Sequence, residues 1–199
     1  QGENEKLNQS IGAPLSDNFD SSLGRNKVLC EYGGKTGLTQ QEGMVTKFPA
    51  EQTRAASVMT YGFFPTIARS SAYLGGYYAV LQSVTKQLAL TGEFQKIRLS
   101  MQEFFPSIRD DARRMGLPFA ALLGAFEVMK ALNLPAIGGK DSMSGSFKDI
   151  DVPPSLLSFA VSLTDLNQVV SRELKGGDTK ILITRVPVDP LGLIDFKVF

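Results

Sequence analysis

The sequence contains no histidine. That absence excludes Ser-His and Cys-His nucleophile pairs and every metal site built on imidazole. Any acid–base work therefore falls to carboxylates or lysines, or to groups elsewhere in a larger protein. Cysteine is nearly absent too. Cys30 stands alone, so no internal disulfide forms, and a reducing, cytoplasmic compartment is the expected location. Cys30 lies in the apolar stretch Lys27-Val28-Leu29-Cys30-Glu31-Tyr32, where a buried packing thiol is expected rather than a nucleophile. No apolar run approaches the roughly 20 residues that span a bilayer. The polar start, Gln1 to Ser10, is unlike a signal peptide. Neither sign of charge is in excess: 21 basic and 20 acidic residues leave a net charge of +1. A nucleic-acid surface would show a clustered basic surplus. Neither a membrane nor a nucleic acid is an expected partner.

What is present is a chain of 199 residues, 43% hydrophobic and 21% charged. This is enough for one large domain, or one domain and part of another, with a real core. There is no initiator methionine, and the sequence stops on the apolar run Leu193 to Phe199, so it reads as a piece of a longer protein. Residues 1–24, rich in Gln, Asn, Ser, Asp and Gly, read as a linker or disordered lead-in. Strands are expected over 27–32, 43–48, 55–63, 96–101, 135–138 and 155–163. A helix is expected over 69–91, where Tyr73, Tyr77, Val80, Leu81, Val84 and Leu88 recur at spacings of three and four, with Gly92 as a left-handed stop. A second helix is expected over 117–132, with Phe119, Leu122, Leu123, Phe126 and Met129 on its buried side and Pro135 forbidding its continuation. Asp165 is placed to cap a short helix over 166–174. After Gly176-Gly177-Asp178, the run Lys180-Ile181-Leu182-Ile183-Thr184 reads as the first strand of a following domain. The domain proper is then 25–176, with 177–199 opening the next. The mixed order of elements gives an α/β or α+β class.

The run with most chemistry is Pro135-Ala136-Ile137-Gly138-Gly139-Lys140-Asp141-Ser142-Met143-Ser144-Gly145. Glycine lets a backbone turn sharply or come close to a ligand. Lys140 offers a positive charge, and Ser142 and Ser144 offer hydroxyls. The group suits a phosphate or carboxylate, and it equally suits a tight turn between strands. The spacing G-x-x-x-x-G-K-[ST] of a Walker A loop is absent. Lys140 and Asp141 either line a site or pair with each other. Asp110-Asp111 before Arg113-Arg114 reads as a solvated helix start rather than a metal site. Tyr73 and Tyr77 read as packing residues rather than a platform for a base.

The same run, followed by Asp151-Val152-Pro153-Pro154 and Leu157-Ser158-Phe159-Ala160-Val161, closely resembles phosphoribosylformylglycinamidine synthase, the glutamine-dependent ligase of purine biosynthesis. Further stretches fit its long single-chain form in the family's order. They are Glu42-Gly43-Met44-Val45, Met59-Thr60-Tyr61-Gly62-Phe63, Tyr78 to Lys86, Lys96 to Ser100, and Gln102-Glu103-Phe104-Phe105. The resemblance runs from about residue 23 to 185. It implies the N-terminal half of the second of two units similar to aminoimidazole ribonucleotide synthetase. The implied fold has a mixed sheet of about four strands, with helices packed on one face. It implies that such halves pair through their sheets, so that the rest of the parent chain, above all the first unit's N-terminal domain, is the partner. A homodimer is expected of this piece alone. The parent reaction takes formylglycinamide ribonucleotide, ATP and glutamine to formylglycinamidine ribonucleotide. The catalytic histidine and the glutaminase cysteine lie elsewhere in that family, so no catalytic residue is expected in this chain.

In some members the second unit holds a nucleotide with magnesium that is not turned over. A helix there supplies a glutamate and, one turn later, an asparagine. The matching positions are Gln82 and Lys86, an amide and an ammonium. The first is a poor magnesium ligand and the second repels the ion. Lys86 either meets a phosphate in the metal's place or is solvated beside a decayed site. The expected nucleotide or phosphate contacts are Gly138, Gly139, Lys140, Asp141, Ser142 and Lys86. ATP or ADP with magnesium is the implied cofactor of the parent enzyme, and for this piece the cofactor is left open. The alternative is a self-standing ATP-binding module of the same superfamily, like the hydrogenase-maturation or selenophosphate proteins.

Overall fold

The computed structural model describes residue 18, residues 24–91 and residues 93–197. Most of the expected 1–24 linker, the stop at Gly92 and the last two residues lie outside the described residues. The strands are β1 (Lys27–Leu29), β2 (Tyr32–Gly33), β3 (Thr39–Gln40), β4 (Gly43–Lys47), β5 (Ala55–Gly62), β6 (Arg98–Phe104), β7 (Ala136–Lys140), β8 (Ser146–Phe147), β9 (Ile150–Asp151) and β10 (Ser155–Asp165). The helices are α1 (Pro65–Ser70), α2 (Ala72–Thr91) and α3 (Ala112–Leu132).

The main sheet has six strands in the order β1-β4-β5-β10-β6-β7, two more than the resemblance implied; the additions are the short edges β1 and β7. All its pairs are antiparallel except β6 with β7. That pair is parallel because the chain crosses over through α3 between the two strands. The α/β class and the mixed sheet hold.

Alternation along the strands sorts the residues onto two faces. Val45, Val58, Leu99, Leu156 and Ala160 are fully or almost fully buried beneath α2 and α3. On the opposite face Met44, Tyr61 and Leu163 are exposed, and Met59, Phe159 and Val161 are half-buried. The register makes this second group one patch: Met44 pairs with Met59, Met59 with Val161, and Tyr61 with Phe159. The helices thus cover one face only. A polar chain threads the covered face, in which Ser83 Oγ meets Ser158 Oγ at 2.9 Å and Gln87 Nε2 donates to Ser162 Oγ at 2.5 Å. Fully buried Gln87 also accepts from the Thr60 hydroxyl at 3.2 Å, so its burial is matched by partners.

The expected helix over 69–91 divides. Ser71 is extended, and its hydroxyl accepts from Leu74 N at 3.2 Å, so it caps α2 and separates it from α1. The stripe on α2 is as expected, with Tyr77, Val80, Leu81 and Val84 buried. The tyrosines pack: Tyr77 is fully buried, stacks on Tyr73 at 6.3 Å and meets Tyr78 edge-on at 5.4 Å.

Helix α3 reverses the expectation. Its buried residues are Pro118, Ala121, Gly124, Ala125 and Val128. Phe119, Leu122, Leu123 and Phe126 are exposed, and only Met129 of that set packs against the core. The cause is close helix approach. A Cβ on Gly124 would stand 2.0 Å from the Tyr73 carbonyl oxygen, and one on Gly76 would stand 2.1 Å from that of Ala121. Only small side chains fit such a seam, so the large ones face outward. By length and composition α3 is apolar enough to cross a membrane, which no single run in the sequence suggested; in this fold it packs along α2. It begins earlier than expected, at Asp111, whose side chain accepts from Arg113 N at 2.9 Å. That capping role is the helix-start reading of the acidic pair.

Three further expectations fail. Cys30 is exposed rather than buried, because β1 is a short edge strand. The helix over 166–174 is a single 3-10 turn, Leu166–Gln168, although Asp165 does cap it through Asn167 N at 2.9 Å. Residues 180–184 form no strand, and Ile181, Leu182 and Ile183 are largely exposed. Farther on, the chain returns to the domain. Ile194 N donates to Tyr77 Oη at 3.0 Å, Tyr78 Oη donates to the Gly192 carbonyl at 2.5 Å, and Phe196 lies against Tyr77 at 6.0 Å.

Candidate functional site

The parallel register sets Ser100 beside Gly138, Met101 beside Gly139 and Gln102 beside Lys140. The glycine pair is therefore inside β7, not in a turn after it, and the expected strand end at Gly138 moves to Lys140. Neither glycine has a positive φ. Gly139 is there for approach, since a Cβ on it would stand 3.0 Å from the Met101 carbonyl oxygen. β7 is an exposed edge, so its outer backbone groups face away from the sheet's own ladder.

The loop that follows is tied to β6. Phe105 N donates to the Ser142 carbonyl at 2.8 Å, and Gly145 N donates to the Phe105 carbonyl at 2.9 Å. Ser142 Oγ and Ser144 Oγ meet at 2.8 Å. Lys140 and Asp141 are both exposed, and no salt bridge joins them among the described residues. Of their two readings, the ion pair is the one not formed. The loop stands at the shared carboxyl end of the two parallel strands β6 and β7.

Glu103, which sequence reasoning passed over, lies under this loop. It is 5% exposed, and its Oε1 has no hydrogen-bond partner. Burial, with the nearby charge of Asp141, pushes its carboxyl up to about 7. The available signal was alternation: Leu99, Met101 and Glu103 share the covered face of β6, where a carboxylate is out of place.

The other expected site residues lie apart from the loop. Tyr61, Phe159, Ser100 and Gly138 form one row across the sheet. Three spacings of roughly 4.8 Å put Tyr61 about 14 Å from Gly138. Lys86 belongs to the Tyr61 end. Its Nζ is 2.8 Å from Glu42 Oε2 and 4.5 Å from the Tyr61 ring centre. Lys86 is thus paired and mostly buried rather than solvated. Gln82 Oε1 accepts from Phe63 N at 2.9 Å and so ends β5. Glu42 also takes Arg172 at 2.5 Å. Burial raises the Glu42 pKa, but the hydrogen bond and charge of Lys86, with the charge of Arg172, outweigh it and leave a net lowering. The two positions that the resemblance matched to metal ligands do not suit magnesium, since Gln82 offers an amide oxygen already bonded to Phe63 N and Lys86 an ammonium paired with Glu42. Among the described residues no group of three or more Asp, Glu or Cys side chains is placed to hold a metal.

The sequence matches no protein-family model and no curated protein. Solved structures do match the fold. The structure of PurLQS from Thermotoga maritima aligns at TM-score 0.64 and 15% identity, covering 81% of this chain. The chain shares the PurL fold. T. maritima PurL complexed with AMPPCP aligns at TM-score 0.63 and 15% identity over 81% of the chain, and T. maritima PurL complexed with FGAR at 0.62 and 16% over 80%. The chain spans about a quarter of the length of each: 25%, 25% and 24%. The fold class implied by the resemblance is therefore met.

Proposed function

We propose that this chain is the N-terminal half of the second synthetase-like unit of a phosphoribosylformylglycinamidine synthase. In this reading its work is architectural. The carrying observation is the PurL fold on a chain whose glycine–lysine–serine loop stands at the carboxyl end of β6 and β7. The bare apolar sheet face of Met44, Met59, Tyr61, Phe159 and Val161 supports pairing with the first unit's N-terminal domain, since solvent-facing apolar patches of this kind mark interaction surfaces. The parent would be the ATP-dependent, glutamine-using ligase of the cytoplasm, with the reacting groups outside this histidine-free chain. The alternative reading is a self-standing ATP-binding module of the same fold.

The functional extra is an anion site on the loop. Lys140 supplies the charge, while Ser142, Ser144 and the free edge of β7 supply donors for a nucleotide phosphate. The Gln82–Lys86 position is proposed to have lost its metal, with Lys86 committed to Glu42. Calorimetric titration of ADP into the wild type and Lys140→Ala tests the site. Saturable binding lost in the variant supports it, and equal binding or no binding in the wild type sinks it.

A further inference from the structure

Glu103 is a carboxyl that the fold buries without using. It is 5% exposed, its Oε1 has no hydrogen-bond partner, and no salt bridge reaches it among the described residues. A carboxylate in such a place loses its water and gains no partner, which favours the neutral acid. On one side, β10 sets the apolar Leu156 opposite it. On the other, the parallel register pairs Gln102 with Lys140, so Glu103 stands one step on, beside Asp141. Asp141 is the charged group that acts on it, and among the described residues neither α2 nor α3 brings it a cation. Two residues farther along, Phe105 ties the loop to the strand, donating from its N to the Ser142 carbonyl at 2.8 Å and accepting from Gly145 N at 2.9 Å. The buried carboxyl is thus next to the bonds that hold the loop bearing Lys140, Ser142 and Ser144.

We infer that the loop site is proton-coupled: Glu103 must be protonated for an anion to bind tightly there, so a nucleotide phosphate and a proton each favour the binding of the other. This rests on the anion site proposed above and adds its regulation. Ionised, Glu103 puts a second negative charge beside Asp141, under a loop that has to accept a third. Neutral, it leaves Lys140 opposed by Asp141 alone. A bound phosphate disfavours the ionised carboxyl, so the complex keeps the Glu103 proton to a higher pH than the free chain does. The free chain gives it up at about 7. Affinity is therefore full below that value, falls as pH rises from the free value to the bound one, and is level beyond. Two strand spacings of roughly 4.8 Å put a phosphate on the loop about 10 Å from the carboxyl. At an effective dielectric constant of about 20, one unit charge at that range changes the affinity roughly tenfold.

The test is calorimetric titration of ADP, without magnesium, into the wild type and Glu103→Gln from about pH 5.5 to about pH 8.5. Glutamine is uncharged throughout, and the titration of the ADP phosphates is common to both proteins and cancels in their ratio. The two affinities should agree at the low end, and the wild type should be weaker by roughly tenfold at the high end. A second measurement needs no variant. Wild-type titrations near pH 7.5 in MOPS and in Tris should differ in heat by the uptake of a fraction of a proton per ADP bound. That readout stands should Glu103→Gln not fold. A ratio of affinities that does not change with pH overturns the coupling and leaves the loop site in place, and so does binding without proton uptake. Absence of ADP binding to the wild type at every pH removes the loop site, and the coupling falls with it.

Discussion

Gly76 on α2 and Ala121 on α3 meet backbone to backbone: a Cβ at residue 76 would stand 2.1 Å from the Ala121 carbonyl oxygen. That contact sets the whole outer surface of α3, because the helices approach too closely for large side chains between them. Gly76→Ala must push α3 away from α2. A loss of about 3 kcal/mol is expected, the upper range for overpacking. Gly116, also in α3, has nothing within 4 Å of a Cβ. Gly116→Ala should stabilise by about 0.5–1 kcal/mol through helix propensity. Urea unfolding of the two variants checks both signs. Equal effects would mean that the seam is looser than described.

Glu103 makes stability depend on pH. In the unfolded chain its carboxyl ionises near 4.5, while in the fold it keeps its proton up to about 7. Between those values the folded state binds more protons, so stability falls as pH rises from about 4.5 to about 7 and then levels off. The loss is on the order of 3 kcal/mol. Glu103→Gln should match the wild type at pH 4.5 and exceed it at pH 8. Thermal unfolding at both values decides, and parallel profiles for the two proteins would refute the assignment.

Lys86 holds Glu42 at 2.8 Å and sits over the Tyr61 ring. Lys86→Met keeps the apolar stem and removes the charge. Glu42 keeps Arg172, so the expected loss is modest, about 1–2 kcal/mol from the ion pair and the ring contact together. Denaturant unfolding at low and high salt should find the loss shrinking with salt. A variant as stable as the wild type would return Lys86 to the role of a free cation.

Much of this fold is legible in the sequence because burial there follows simple periods. β5 and β10 alternate, α2 carries an apolar stripe, and Asp111 and Asp165 start their helices as capping residues do. The inversion of α3 is not legible, because an apolar side chain does not say which neighbour it will meet. The decisive residues are the small ones, Gly76, Ala121 and Gly124, whose role is visible only when two helices are side by side. The glycines of the loop mislead in a related way. Gly139 is needed for close approach to Met101, yet a glycine pair in a sequence reads first as a turn. Glu103 was readable from alternation, while the pairing of Lys86 with Glu42 needed the fold, being 44 positions apart in the chain.

The central claim is that the loop after β7 meets a nucleotide by fixed charge, at a fold whose helical metal position is closed by Lys86 and Glu42. Its most direct measurement is the affinity of the wild-type chain for ADP in magnesium against the affinity in a chelator. Saturable binding with a ratio near one is predicted. Binding that appears only with magnesium would contradict the account.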